Sequence, residues 1–96
     1  MEVNGYRIEP GADLTNANLR SANLTSADLC AACLYEANLN SADLTDADLP
    51  GAKLSGAILF EAYLTDAELT DANLSRAVLQ GANLTNAVMP DGSIHD

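Results

Sequence analysis

Apolar and polar positions alternate along this chain with a period of five. Alanine stands at every fifth position from Ala12 to Ala87, sixteen times in unbroken phase. Two residues after each comes Leu14, Leu19, Leu24 and so on to Leu84, with Met89 closing the series. A continuous helix is excluded, because a step of five residues advances about 140° around the axis and scatters the leucines. A continuous strand is excluded too, since an odd step sends each leucine to the opposite face. Within one repeat, however, Ala and Leu are two residues apart, so a short extended segment points both to one side. If the chain turns in the same sense after each segment, sixteen short sides wind into a β-solenoid with a Leu and Ala core.

Outward positions set the number of sides per coil, because stacked positions should resemble one another. At a spacing of twenty, Thr25, Thr45, Thr65 and Thr85 form an unbroken row, and Asp28, Asp48 and Glu68 form a second. Asn18 then falls with Asn38, Ile58 with Val78, and Pro50 with Pro90 two coils on. A spacing of fifteen produces no such rows. The reading is an all-β fold of four coils, four pentapeptides each, over residues 12–91. Residues 1–11 precede it as a cap and 92–96 follow as a tail. At about 4.8 Å per stacked strand the column is only ~19 Å tall.

The string ADLTNANLRSANLTSADL resembles the pentapeptide-repeat proteins, whose pattern is A(D/N)LXX. The resemblance covers about five-sixths of the chain and implies a right-handed quadrilateral β-helix. Departures fall before the leucine, where Cys33, Lys53, Ile58, Tyr63, Glu68, Val78 and Val88 replace Asp or Asn. These are outward positions, so they bear on function rather than on the fold.

Fourteen acids against four bases give a net charge of −10. That balance argues against direct binding to nucleic acid or to an anionic membrane. The sequence holds neither a basic, apolar signal stretch nor a long apolar run, so a soluble, cytoplasmic protein is expected. In that compartment two cysteines do not imply a structural disulfide.

Candidate chemistry is sparse. Cys30-Ala-Ala-Cys33 has the spacing of a redox or zinc motif. A redox thiol of this kind relies on a helix N-terminus, and no helix is expected. Zinc needs two further ligands, and the only histidine is His95 in the tail. The pair is therefore expected as two surface substitutions across one corner, with a disulfide under oxidative stress as the alternative. Gly51, Gly56 and Gly81 stand singly at the last repeat position and read as turn residues rather than a phosphate cradle. The Thr row reads as a hydrogen-bonded surface column. A filled solenoid offers no cleft, so neither catalysis, a cofactor nor a metal centre is expected.

Charge is where four sides become informative. Arg20, Lys53 and Arg76, the only bases in the repeats, fall on the first two sides or their corners. The other two sides carry Asp28, Asp43, Asp46, Asp48, Asp66, Glu68, Asp71 and Asp91 and no base. Eight acids over ~19 Å is one per ~2.4 Å, near the ~1.7 Å per charge of duplex DNA. This ridge reads either as a solvated face that keeps the protein soluble or as a site for a basic partner. Calcium fits less well, because outward carboxylates do not converge on one ion. The resemblance adds a more specific alternative, an acidic DNA mimic that inhibits a DNA-binding enzyme such as a topoisomerase. Those mimics are longer rods with a dimer module, which this sequence lacks. The leading expectation is a non-catalytic scaffold that binds an unidentified protein.

Ile58, Phe60 and Val78 break the outward polarity and should adjoin on the second side as an apolar patch. The ends need cover, since a solenoid's last coils expose core and unpaired backbone. Val3, Tyr6 and Ile8 around the turn pair Asn4-Gly5 are expected to fold over the first coil, with Pro10 lacking a ladder donor where the repeats begin. At the other end only Ile94 is available as a lid. Self-association through the C-terminal end, as a two-fold dimer, is therefore expected; the alternative is a monomer whose tail caps it.

Overall fold

The computed structural model describes residues 1–96 and contains no helix. Its body is a right-handed quadrilateral β-helix. The second residue of each pentapeptide, between the Ala and the Leu, pairs in parallel with the residue twenty positions on, which sets four sides per coil. Side one begins with residues 12–16, side two with 17–21, side three with 22–26 and side four with 27–31. The side-two ladder, for example, runs Asn18, Asn38, Ile58, Val78, and the side-four ladder runs Asp28, Asp48, Glu68, Val88.

Each side is held by a repeated pair of backbone bonds. The Lys53 amide donates to the Ala32 carbonyl at 2.9 Å, and the Lys53 carbonyl accepts from the Leu34 amide at 2.8 Å. Between sides the chain turns within four residues, as where the Ala37 amide donates to the Leu34 carbonyl at 3.0 Å. Positive φ falls only on the third residue of these turns, the signature of type II. Pro50-Gly51 supplies the side chains that such a turn favours, and Pro10-Gly11 makes the same turn ahead of the first repeat.

The corner is more demanding than the sequence pattern suggests. Ala31, Glu36, Glu61 and Arg76 also hold left-handed φ, between 55° and 59°. Each such residue costs about 1–2 kcal/mol. The same backbone that carries the strain also extends the ladder: the Ala31 amide donates to Pro50 at 2.9 Å and the Glu61 amide to Gln80 at 2.9 Å.

Leucines and alanines fill the column. Every Leu from Leu19 to Leu69 is at most 1% exposed, and no polar or charged side chain is buried. Burial of each Leu contributes roughly 1.5–3 kcal/mol, set against the entropy of ordering the chain. The alanines from Ala32 to Ala67 are fully enclosed, so a longer side chain there would collide across a narrow column.

The two ends are finished differently. At the start, β1 (Glu2–Val3) pairs antiparallel with β2 (Tyr6–Arg7) through Asn4 and Gly5, both with positive φ, a type I′ hairpin. Val3 and Tyr6 pack on the core, Ile8 is buried, and the Tyr6 hydroxyl accepts from the Asn18 amide at 3.2 Å. At the other end the chain reverses at Pro90-Asp91-Gly92. The Gly92 amide donates to Met89 at 2.7 Å and the Met89 amide to Ser93 at 2.7 Å, with Gly92 at φ 86° and Asp91 outside the positive region. This is a type I turn with a glycine bulge. Residues 93–95 then run back antiparallel along side four, pairing Ile94 with Val88.

This arrangement corrects the expectation that Ile94 is a lid. Ile94 is 58% exposed and shares the outward face with Val88. Backbone seals the end instead, and only on side four, where the His95 amide donates to the Ala87 carbonyl at 2.9 Å and Ala87 is fully buried. On the other three sides the Leu74, Leu79 and Leu84 amides and the Ala72, Ala77 and Ala82 carbonyls have no partner within the chain. Leu74, Ala77, Leu79, Ala82 and Leu84 are correspondingly only half-buried.

Candidate functional site

Assigning every charge to its side divides the surface in two. Sides one and two carry Asp13, Glu36 and Glu61 against Arg20, Lys53 and Arg76, three acids and three bases, for a net of zero. Sides three and four carry eight acids and no base, for a net of −8. The chain's one ion pair, Arg7 with Glu9 at 4.0 Å, lies in the N-terminal cap. None of the eight acids is neutralised by a basic side chain.

Along the axis the charge is just as uneven. Coil one (residues 12–31) has two acids and one base, net −1, and coil two (32–51) has four acids and no base, net −4. Coil three (52–71) has four acids and Lys53, net −3, and coil four (72–91) pairs Asp91 with Arg76 for zero. The ridge is therefore concentrated in two adjacent rungs. Asp43 lies on side three, Asp48 and Glu68 on side four, Asp46 and Asp66 at the corner between these sides, and Asp71 at the corner after side four. Asp28 extends the side-four ladder below Asp48, and Asp91 stands apart in the closing turn.

Within the ridge the carboxylates are held in two ways. Asp43 Oδ1 accepts from the Thr45 amide at 3.0 Å, and Glu68 Oε1 accepts from the Thr70 hydroxyl and amide. The Thr45 hydroxyl, then its amide, lower the Asp43 pKa below the ordinary value; Thr70 acts in the same order on Glu68. The rule recurs at Asp13, lowered by Thr15, and at Asp91 in the closing turn, lowered by Ser93. The side-chain carboxylates of Asp46, Asp48, Asp66 and Asp71 accept no hydrogen bond within the chain and remain available to a partner.

The apolar patch lies on the neutral half. Ile58 and Val78 are bridged on side two and Phe60 follows at its end, all close to two-fifths exposed. Tyr63, 52% exposed, stands across the next corner on side three, within the acidic half. It occupies the same repeat position as Ile58 and Val78. The cysteines are both free; Cys33 lies on side one with its sulfur 3.2 Å from the Thr15 hydroxyl, and Cys30 is at the preceding corner. No group of three or more His, Cys, Asp or Glu side chains is placed to hold a metal ion. The sequence did not point to a shallow notch at the corner after side one. Tyr35, Glu36, Ser55, Gly56 and Arg76 line it, and it exists because Gly56 has no side chain between Glu36 and Arg76.

Comparison with known proteins places this surface in context. The sequence profile described as "Pentapeptide repeats (8 copies)" matches residues 10–35, 22–59 and 57–91. No curated protein matches the sequence. Among solved structures the chain is similar to HetL, a pentapeptide repeat protein involved in heterocyst differentiation regulation in the cyanobacterium Nostoc. The two are 42% identical with a TM-score of 0.57, over 86% of this chain and 43% of HetL. A second Nostoc pentapeptide repeat protein is 42% identical, TM-score 0.59, over 78% of this chain and 66% of that one. A pentapeptide repeat protein of the Arabidopsis thaliana thylakoid lumen is 33% identical, TM-score 0.56, over 91% of this chain and 68% of that one. The chain thus spans less than half of HetL and about two-thirds of the other two.

Proposed function

Because this chain belongs to the pentapeptide-repeat family, we propose that it is a non-catalytic scaffold whose acidic half binds a basic surface on a partner protein. The observation that carries this reading is the division of the column into a half of net zero and a half of net −8. A charge distribution needed only for solubility has no reason to avoid two sides out of four. Unpaired carboxylates on a rigid backbone lose little entropy on binding and steer a cationic partner toward one face. HetL, 42% identical to this chain, is involved in heterocyst differentiation regulation, and a regulatory role is compatible with a scaffold that acts by binding.

The rival reading, an acidic mimic of DNA, receives less support. A mimic should present negative charge along its whole length, whereas seven of the eight net charges of the repeats lie in coils two and three. A two-rung patch fits a compact basic surface on a protein better than a groove shaped for duplex DNA. The test is affinity capture from a lysate at low and high salt. The bait is the parent chain or a variant carrying Asp46→Asn, Asp48→Asn, Asp66→Asn and Glu68→Gln. A basic protein retained by the parent at low salt and lost with the variant supports the reading. A topoisomerase inhibited equally by parent and variant would count against any role for the ridge.

A further inference from the structure

The C-terminal end is open on three sides, and the remaining side carries a strand with a free outer edge. The Ile94 amide and carbonyl make no hydrogen bond within the chain, while Ser93 and His95 face inward to side four. On the opposite side of the square, the Leu79 amide and Ala77 carbonyl flank Val78 and are equally unpaired. We infer that residues 93–95 of one copy pair with side two of a second copy, so that two chains close reciprocally through their C-terminal ends.

Strand direction permits this pairing. Two corners separate sides two and four, so they run in opposite directions; the tail runs antiparallel to side four and hence in the direction of side two. A two-fold axis through the centres of sides one and three exchanges sides two and four of facing copies and keeps their direction. The tail of each copy then lies parallel to side two of the other. Every parallel rung of the column uses one pattern: the Val78 amide donates to Ala57 at 2.9 Å and the Val78 carbonyl accepts from Leu59 at 2.8 Å. Ile94 repeats it across the junction, donating to the partner's Ala77 and accepting from the partner's Leu79.

The side chains agree with the backbone. Bridged residues share a face, so Ile94 falls in line with the partner's Val78 and Ile58. All three are exposed in the single chain: Ile94 by 58%, Val78 by 38% and Ile58 by 37%. Charge opposes a second copy less here than in the middle of the column: coil four has a net charge of zero and the tail adds one acidic side chain, Asp96, whereas coils two and three carry −4 and −3. The hairpin of β1 and β2 already covers the apolar core at the N-terminal end, so a head-to-tail contact has no exposed core to bury there. An end face of 23 Å by 23 Å limits the contact to about 500 Å² of cross-section per copy. The total of about 1,000 Å² lies at the lower bound of specific interfaces, so the dimer is weak.

Sedimentation of the full chain from about 10 μM to about 1 mM covers the range such an interface implies. The dimer fraction should rise with concentration. Ile94→Asp and Val78→Asp, each placing a charge in the apolar row, should weaken association roughly ten-fold or more. Tyr63→Ser, off the junction, should leave it unchanged. Amide exchange in the parent decides the matter even if the Asp variants misfold. The Leu79 and Ile94 amides should gain protection as concentration rises, while the Leu74 amide does not. A monomer throughout this range, or a dimer in which Leu79 and Ile94 exchange as fast as in dilute solution, overturns the inference.

Discussion

Gly81 stands directly above Glu61 at the corner that ends side two, and a Cβ on Gly81 would lie 3.0 Å from the Glu61 Cγ. Gly51, at φ 69° against 73° for Gly81, has nothing within 4 Å of the same point. Left-handed φ alone costs about 1–2 kcal/mol for a residue with a side chain. Gly51→Ala should therefore lose roughly that amount, and Gly81→Ala should lose measurably more until Glu61 moves aside. Chemical denaturation of both variants checks this. Adding Glu61→Ala to Gly81→Ala should recover the difference between them.

The enclosed alanines set the column's width. Ala47→Leu should destabilise the fold by about 1–3 kcal/mol or more, because the neighbouring leucines are already at full packing. Asp48→Asn, on the adjacent outward position, should change stability by no more than about 0.5 kcal/mol. Thermal unfolding of the two variants side by side gives the comparison.

Asp43 carries a pH signature. Its folded pKa is depressed, chiefly by the Thr45 hydroxyl. The associated stabilisation is therefore present above the ordinary carboxylate range and is lost as pH falls through the lowered value. Thr45→Val removes the hydroxyl but keeps the amide bond, so the Asp43 carboxyl should titrate higher than in the parent. Side-chain carboxyl NMR across an acid titration measures both. An unchanged Asp43 midpoint in the variant would show that the hydroxyl does not govern it.

Much of the fold was legible because a period of five with fixed Ala and Leu leaves few ways to bury both. The Thr and Asp rows then selected twenty residues per coil, as the pairing of Asp28 with Asp48 and Glu68 bears out. The left-handed corners were legible only where glycine marks them. At Glu61 and Arg76 the ladder imposes a conformation that their side chains do not advertise. The division of charge between sides could be read once the coil length was known. The reversal at Pro90-Asp91-Gly92 could not, because it replaces a type II turn by a type I turn without breaking the five-residue phase. For that reason Ile94 looked like a lid and is instead the exposed member of a capping strand.

The acidic half is tested most directly as a binding surface by affinity for a captured basic partner across a salt series. The parent is compared with two charge variants. One removes Asp46, Asp48, Asp66 and Glu68 from the ridge, by Asn or Gln. The other removes Glu36 and Glu61 from the neutral half, by Gln. Binding by the parent should weaken steeply with salt. The ridge variant should bind roughly ten-fold or more weakly at low salt with a shallower salt dependence, while the neutral-half variant stays close to the parent. Equal affinities for all three proteins, with equal salt dependence, would contradict the account.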